Sequence, residues 1–334
     1  MTIESAWLTE FSRNESAGSI KIGHPFEQDQ AADAINELFN DFKLSYLKRS
    51  SKLYGHFAAP DHVFAQHINA FIGKQKSLEE LNNDLTSMLN TFFTDTQDCF
   101  DFKLMLVHET LEDQENVYLM FLTHKTVNAF NDDLNVETVD VIDYSKLPFG
   151  LKIDLELFAK NDAKYMSMLN TRGSKEMSEA FVNFTGFVEG VDVKKQTEEF
   201  LQIVDRFSQD MPKDEVGEYR TRVVDYCLEQ DSLGEEISIK EINTQLKDLP
   251  FEPSEDFSAF VARQQETPQE NIVPHRASLK RYVRFFGRDK KMSISFDSDR
   301  FGQDIKYDEA NQTLTINELP QSLQKQIKQY LDKA

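Results

Sequence analysis

The chain has 334 residues, 40 % hydrophobic and 28 % charged, with 58 Asp and Glu against 37 Lys and Arg and a formal net charge of −21. That length supports two domains of ordinary size, and no apolar run is long enough to cross a bilayer. So acidic a surface repels nucleic acid, so any nucleic-acid role has to rest on local basic patches.

The N-terminus, MTIESAWLTE, carries acids and no basic leader region, and Cys99 and Cys227 have no CxxC partners. These features point to the cytoplasm and away from a disulfide framework or a zinc site. Residues 3–11 read as a first strand. Residues 29–47 read as a helix, with Ala31, Ala34, Ile35, Leu38, Phe39 and Phe42 on one face. SSKLYGHFAAP is a turn or a short strand, and Pro60-Asp61 opens the next helix. Residues 77–93 form a clear helix, begun by a capping box of Ser77 and Glu80. The period then changes. Residues 102–110 and 116–125 are strands joined by LEDQE as a hairpin, and 136–144 and 150–159 are two more. Together they predict a mostly antiparallel sheet with helices on one face.

The stretch from Lys160 to Phe187 lies near the midpoint. Over its first sixteen residues, to Lys175, Lys160, Lys164, Arg172 and Lys175 stand against Asp162 alone. Gly173-Ser174 breaks the chain, and Met177, Ala180, Phe181, Phe184 and Phe187 then recur at helical spacing, with Ser174 as N-cap. Two readings stay open. One is a solvated loop feeding a core helix. The other is an anion-binding turn at which free N–H groups, the helix dipole, Arg172 and Lys175 face a phosphate.

Helices dominate next, over 197–209, 215–230, 238–246 and 254–265. The tail returns to β structure at 292–297, 303–309 and 312–318, and a closing helix covers 319–331. Between them lies a second basic cluster, HRASLKRYVRFFGRDKK at 275–291. It holds Arg276, Lys280, Arg281, Arg284, Arg288, Lys290 and Lys291 against Asp289. Read as a helix, it puts Arg276, Lys280 and Arg284 on one face, with Arg281 and Arg288 close by. Tyr282, Phe285 and Phe286 interleave with these charges, as in surfaces that neutralise phosphates and stack on bases. A solvated helix with Val283 and Phe286 in the core explains the same residues.

Asp140, Asp143, Asp154 and Glu156 are the best metal candidates. Asp154 and Glu156 are two apart on a predicted strand and so face one way, with Lys152 nearby, an arrangement suited to a Mg²⁺-dependent nuclease. A polar strand face in an acidic protein is the simpler account. No HExxH, GxSxG, Walker A or GxGxxG motif occurs, so the sequence assigns no catalytic residue, no metal site and no cofactor, and a non-enzymatic protein is expected.

Several segments carry a resemblance: DVIDYSKLPFGLKIDLEL (140–157), YMSMLNTRGSKEMSEAFVNFTG (165–186), QTEEFLQIVDRF (196–207), VVDYCL (223–228) and the SISFD, GQDIKYD and TLTI pieces of 292–317. In order and spacing the chain resembles the bacterial nucleoid-associated protein family of the NdpA (YejK) type. The resemblance implies a cytoplasmic, nucleoid-located protein that binds DNA and catalyses nothing. It supplies no set of DNA-contacting residues. Those come from charge: Lys160, Lys164, Arg172 and Lys175 in one patch, and Arg276, Lys280, Arg281, Arg284 and Arg288 in another. The expected partner is double-stranded DNA, with single-stranded DNA as an alternative, bound with little sequence preference. A second hypothesis is an adaptor whose acidic half docks onto a DNA-processing enzyme. A metal-dependent nuclease is third. No membrane partner is expected, and a two-fold homodimer is the commonest assembly for such a protein.

The architecture expected is α+β: an acidic domain over 1–159 with an antiparallel sheet and helices, then a mainly helical domain over 160–334 that ends in a small β meander and a helix and carries the basic patches.

Overall fold

Residues 117–122, VYLMFL, are apolar at every position. A strand carries such a run when both its faces are covered, since successive side chains point to opposite sides. The structure, a computed structural model, describes residues 2–28, 32–111, 114–170, 174–212, 215–245, 255–264 and 269–332. It divides into two compact units, Met1–Val193 and Lys194–Ala334.

The first unit runs β1 (Thr2–Arg13), β2 (Lys21–Ile22), β3 (Phe26–Glu27), α1 (Asp33–Leu47), β4 (Leu53–Phe57), α2 (Val63–Ile72), α3 (Leu78–Thr94), β5 (Phe100–Leu111), β6 (Gln114–Leu122), β7 (His124–Phe130), β8 (Val136–Ile142), β9 (Phe149–Asp154), α4 (Leu155–Ala159), β10 (Met166–Asn170), α5 (Lys175–Thr185) and β11 (Phe187–Val191). Among the described residues nine strands form one sheet, ordered β11-β4-β10-β9-β6-β5-β1-β2 with β3 also on β1. Every pairing in it is antiparallel. Strand β6, which holds the apolar run, lies inside it between β5 and β9. Val117, Leu119 and Phe121 pack with Leu85 and Leu89 of α3 and Phe181 of α5. Tyr118, Met120 and Leu122 pack on the other face with Phe39, Phe42 and Tyr46 of α1. Helices therefore cover both faces rather than the one expected, and the unbroken run in β6 is the sequence signal for it.

The local signals nearest in sequence hold. The Ser77–Glu80 capping box is formed in both directions, with Glu80 N–H donating to Ser77 Oγ at 3.2 Å and Ser77 N–H to Glu80 Oε2 at 2.8 Å. Ser174 caps α5 by accepting from Met177 N–H at 3.2 Å, and Met177, Ala180, Phe181 and Phe184 are buried. Gly186 ends that helix at φ +58, and a Cβ there would meet the His62 ring at 2.6 Å, so glycine is required on both counts. Strand β10 has no counterpart in the sequence reading. Its MSMLN mixes unbranched Met with Ser and Asn, which are poor strand formers, and it is held by pairing with β9 and β4. The boundary expected after residue 159 falls inside the first unit, because β10, α5 and β11 complete its sheet and core.

The second unit runs α6 (Val193–Phe207), α7 (Val216–Leu233), β12 (Ile237–Ser238), α8 (Ile239–Gln245), α9 (Phe257–Gln264), β13 (Asn271–Ile272), α10 (Arg276–Tyr282), β14 (Arg284–Arg288), β15 (Ser293–Asp297), β16 (Ile305–Asp308), β17 (Thr313–Ile316) and α11 (Gln321–Leu331). Its core joins Phe200, Val204 and Phe207 of α6 to Tyr219, Val223 and Cys227 of α7, with Phe257 and Leu279. Burial drives the Cys227 thiol pKa far above its ordinary value, so that side chain acts as a small apolar filler. The expected meander is two separate hairpins, β14–β15 and β16–β17. The fold is mixed α+β.

One buried cation ties β1 to α3. Arg13 is 1 % exposed, and among the described residues it has no carboxylate partner. Its Nη2 donates to the carbonyls of Phe93 at 2.8 Å and Thr94 at 3.2 Å, and its Nη1 to the Thr96 carbonyl and, at 3.1 Å, to Thr96 Oγ1. The guanidinium also lies 5.5 Å from the Phe100 ring centroid. Phe93 and Thr94 close α3 and Thr96 follows it, so the guanidinium sits at the helix C-terminus, where the helix dipole is negative. Arg13→Met removes these hydrogen bonds from a buried site and is expected to lower unfolding free energy by about 2–4 kcal/mol. Urea denaturation checks this, and an unchanged midpoint contradicts it.

Candidate nucleic-acid interface

The second basic cluster is built on α10 and the hairpin that follows it. Helix α10 is fixed along its inner side. His275 N–H donates to Thr197 Oγ1 at 2.9 Å, Leu279 is buried in the core, and Tyr282 Oη donates to Asp205 Oδ1 at 2.6 Å. Burial, reinforced by the Asp205 carboxylate, pushes the Tyr282 phenol pKa well up, so it stays a donor. Arg276 belongs to this inner side as well, with Nη1 2.5 Å from Asp231 Oδ2 of α7. Lys280 and Arg281 are exposed.

The helix stops at Tyr282, so the helical face expected to carry Arg276, Lys280 and Arg284 together does not exist. Val283, Phe285 and Phe286 are β-branched or aromatic and Gly287 is a poor helix former, which turns Arg284–Arg288 into strand β14. It pairs with β15 in the register Arg284↔Asp297, Phe285↔Phe296, Phe286↔Ser295, Gly287↔Ile294 and Arg288↔Ser293. Ser298 N–H donates to the Val283 carbonyl at 2.8 Å and closes the base of the hairpin. Strand alternation then sorts the residues. Phe285 packs with Phe296 and Phe301, both at 5.2 Å between ring centroids. Arg284, Phe286 and Arg288 share the opposite side. Phe286, expected in the core if this segment were a solvated helix, is 69 % exposed.

The cluster's only acid is held by the turn and stays an exposed carboxylate. Asp289 Oδ1 accepts from the N–H groups of Lys291 and Met292, both at 2.7 Å, and the Asp289 N–H donates to the Met292 carbonyl at 2.9 Å. Those two backbone donors hold the Asp289 pKa below the usual carboxylate range. Lys290 and Lys291 are left exposed at the tip. Arg284 has only a loose neighbour, Asp297 at 3.8 Å. Among the described residues no carboxylate forms an ion pair with Lys280, Arg281, Arg288, Lys290 or Lys291.

The first patch is arranged differently. Lys160 Nζ lies 2.6 Å from Glu156 Oε1, and Lys175 Nζ lies 3.6 Å from Glu179 Oε1 while 88 % exposed. Lys164 donates its backbone N–H to Asp162 Oδ1 at 2.9 Å. Ser174 Oγ, besides capping α5, donates to Asp98 Oδ2, so a carboxylate already stands beside that helix start. Arg172 and the turn around it lie outside the described residues.

The carboxylates considered for a metal are dispersed. Asp154 and Glu156 do not share a strand face. Strand β9 ends at Asp154, whose Oδ1 accepts from Leu157 N–H at 2.9 Å as the cap of α4, while Glu156 is in that helix. The alternation in KIDLEL fits a strand, but an N-cap Asp before helix-forming residues overrides it. Asp140 accepts from Thr126 Oγ1 at 2.8 Å. Asp143 is buried against Ser145, whose hydroxyl, with the nearby Lys125 and Lys146, lowers its pKa. Among the described residues no group of three or more His, Cys, Asp or Glu is placed to hold a metal ion, and no helix is long and apolar enough to cross a membrane.

The family model described as Nucleoid-associated protein YejK matches residues 15–324, and the chain belongs to that family. Relatives named nucleoid-associated proteins include one of Shewanella oneidensis, 24 % identical over 98 % of this chain and 97 % of its own length. Another, of Glaesserella parasuis, is 25 % identical over 84 % of each chain. A third, of Photorhabdus laumondii, is 32 % identical over 63 % of this chain and 64 % of its own.

Arg276 and Arg281 separate the two kinds of cation in the cluster. Arg276→Gln leaves the largely buried Asp231 carboxylate without its partner and is expected to cost about 1 kcal/mol, the pair being partly solvent-screened. Arg281→Gln is expected to leave stability within about 0.5 kcal/mol. Calorimetric unfolding of both variants checks the contrast, and equal losses contradict it.

Proposed function

We propose that the protein is a non-catalytic, nucleoid-associated DNA-binding protein that contacts phosphates with little regard to base sequence. The observation that carries this is the group of cations without acidic partners around one hairpin: Lys280 and Arg281 at the end of α10, Arg288 on β14, and Lys290 and Lys291 at the turn. In a chain of net charge −21, unspent positive charge gathered on one element is what attraction to a polyanion requires. Arg284 adds to it across its loose contact with Asp297. Lys160, Lys164, Arg172 and Lys175 form a second, weaker phosphate patch on the first unit, weaker because Lys160 and Lys175 each have a glutamate beside them. Arg276 serves the fold through Asp231 and reaches DNA only indirectly.

A second reading has support of its own. The β7–β8 hairpin leaves Phe130, Leu134 and Val136 exposed at its end, with Asp132, Asp133 and Glu137 around them. An acidic ribbon with an apolar tip suits docking on a basic protein surface, such as that of a DNA-processing enzyme.

Phosphate contacts release counterions, so log affinity for a duplex is expected to fall with log salt at a slope of about −4, roughly −0.9 per contact for four or five contacts. The triple variant Arg288→Gln, Lys290→Gln, Lys291→Gln is expected to flatten that slope by about 2 to 3. Affinity that stays level from low to moderate salt sinks the reading. For the second reading, the full chain with Phe130→Ser and Val136→Ser is expected to lose capture of a DNA-processing enzyme while keeping its DNA affinity. Undiminished capture counts against it.

A further inference from the structure

The second cluster contains three aromatic residues, and the structure gives them three different fates. Tyr282 is committed to Asp205 and to the Arg220 guanidinium, which lies 5.6 Å from its ring centroid. Phe285 is committed to Phe296 and Phe301. Phe286 is committed to nothing: among the described residues no aromatic ring packs on it, and it is 69 % exposed. Its cross-strand partner is Ser295, with Ser293 one step along the same side. Both are too small to cover a phenyl ring, and most of the side chain is open to solvent.

The charges around it say what that ligand is. Arg284 and Arg288 stand two residues to either side on the same face of the strand, each about 7 Å away along the chain. Lys290 and Lys291 extend the positive field toward the tip, where Asp289, the only acid of the cluster, is held by two backbone N–H groups and, among the described residues, forms no ion pair with either lysine. An aromatic face with a guanidinium on each side matches a nucleobase flanked by its own backbone phosphates. Every base has a π face, so stacking tolerates any sequence, and a solvent-exposed phenyl ring can reach that face only where a base has left the duplex stack.

We propose that Phe286 is a base-stacking residue, and that the β14–β15 hairpin favours DNA whose bases are unstacked, as in single strands, bubbles and mismatched sites, over fully paired duplex. This rests on the DNA-binding reading above and adds a substrate preference to it. The arginines and lysines supply the salt-dependent affinity common to all DNA, and Phe286 supplies the difference between forms.

The test compares three fluorescent DNAs of equal length, a perfect duplex, the same duplex with an internal unpaired bubble, and the single strand, each titrated with the full chain. A second set carries 2-aminopurine in the bubble to report stacking. The wild-type chain is expected to bind bubble and single-stranded DNA about 5- to 150-fold more tightly than duplex, the range that one stacked base supplies, and to quench 2-aminopurine. Phe286→Ala is expected to remove most of that preference and the quench while leaving duplex affinity and its salt slope unchanged. Phe286→Trp is expected to retain both. Since Phe286 is exposed, neither variant should alter thermal unfolding. If Phe286→Ala binds all three DNAs as the wild type does, the stacking assignment falls, the phosphate reading stands, and the residue serves another partner. If the wild type binds none of them, or binds without salt dependence, the phosphate reading falls and takes this proposal with it.

Discussion

Burial of β6 on both faces is the constraint from which the first unit follows. Six consecutive apolar side chains, each contributing about 1.5–3 kcal/mol when removed from water, demand cover on two sides. Helix α1 supplies one side and α2, α3 and α5 the other. The same demand fixes the register. In a sheet with one wet face, a slip of one residue exposes the core set. Here it would instead exchange Phe121 with Met120 and Leu119 with Tyr118, which differ in size and shape, so packing rather than polarity opposes the slip. Tyr118 sharpens this, because its ring meets Phe39 at 5.3 Å and Tyr46 at 6.3 Å on the α1 side.

An excess of carboxylates governs the surface in a comparable way. With 58 acids and 37 bases, many lysines and arginines have an acid within reach, and several are spent on structure. Lys43 neutralises the fully buried Glu109 at 2.5 Å, and Arg276 holds α10 to α7. A basic residue that meets no acid in such a chain is therefore more informative than it would be in a neutral protein. The hairpin achieves this by topology. Its two strands project side chains alternately, its base is closed through Val283 and Ser298, and its single acid is drawn into the turn.

How much of this could be read beforehand depends on how far apart the interacting residues lie. The Ser77–Glu80 capping box, the Ser174 cap and the Met177–Phe184 stripe are contacts across three or four residues, and all three were legible. Asp154 was misread because KIDLEL satisfies both a strand period and a capped helix start, and the sheet position of β9 decides between them. The end of α10 was misread for a related reason. The spacing of Arg276, Lys280 and Arg284 fits a helix, while Val283, Phe285, Phe286 and Gly287 oppose one. Which cations are spent was not legible at all. Arg276 meets Asp231 across 45 residues and Tyr282 meets Asp205 across 77, and no local pattern announces either contact.

The change from helix to ribbon alters what the basic cluster can do. On a helix, residues 276, 280 and 284 would form one cationic stripe, and Phe286 would turn inward with Val283. Such a surface meets phosphates and nothing else. A strand gives each residue the face opposite its neighbour's, so Phe285 packs beside Phe296 and Phe301 while Phe286 lies on the other side with the arginines. The ribbon is also narrow. A duplex major groove about 12 Å wide accepts a two-stranded ribbon, and a splayed single strand accepts one without hindrance. By ending α10 at Tyr282 the chain therefore gives up a uniform cationic face and gains a ribbon with Arg284, Phe286 and Arg288 on one side.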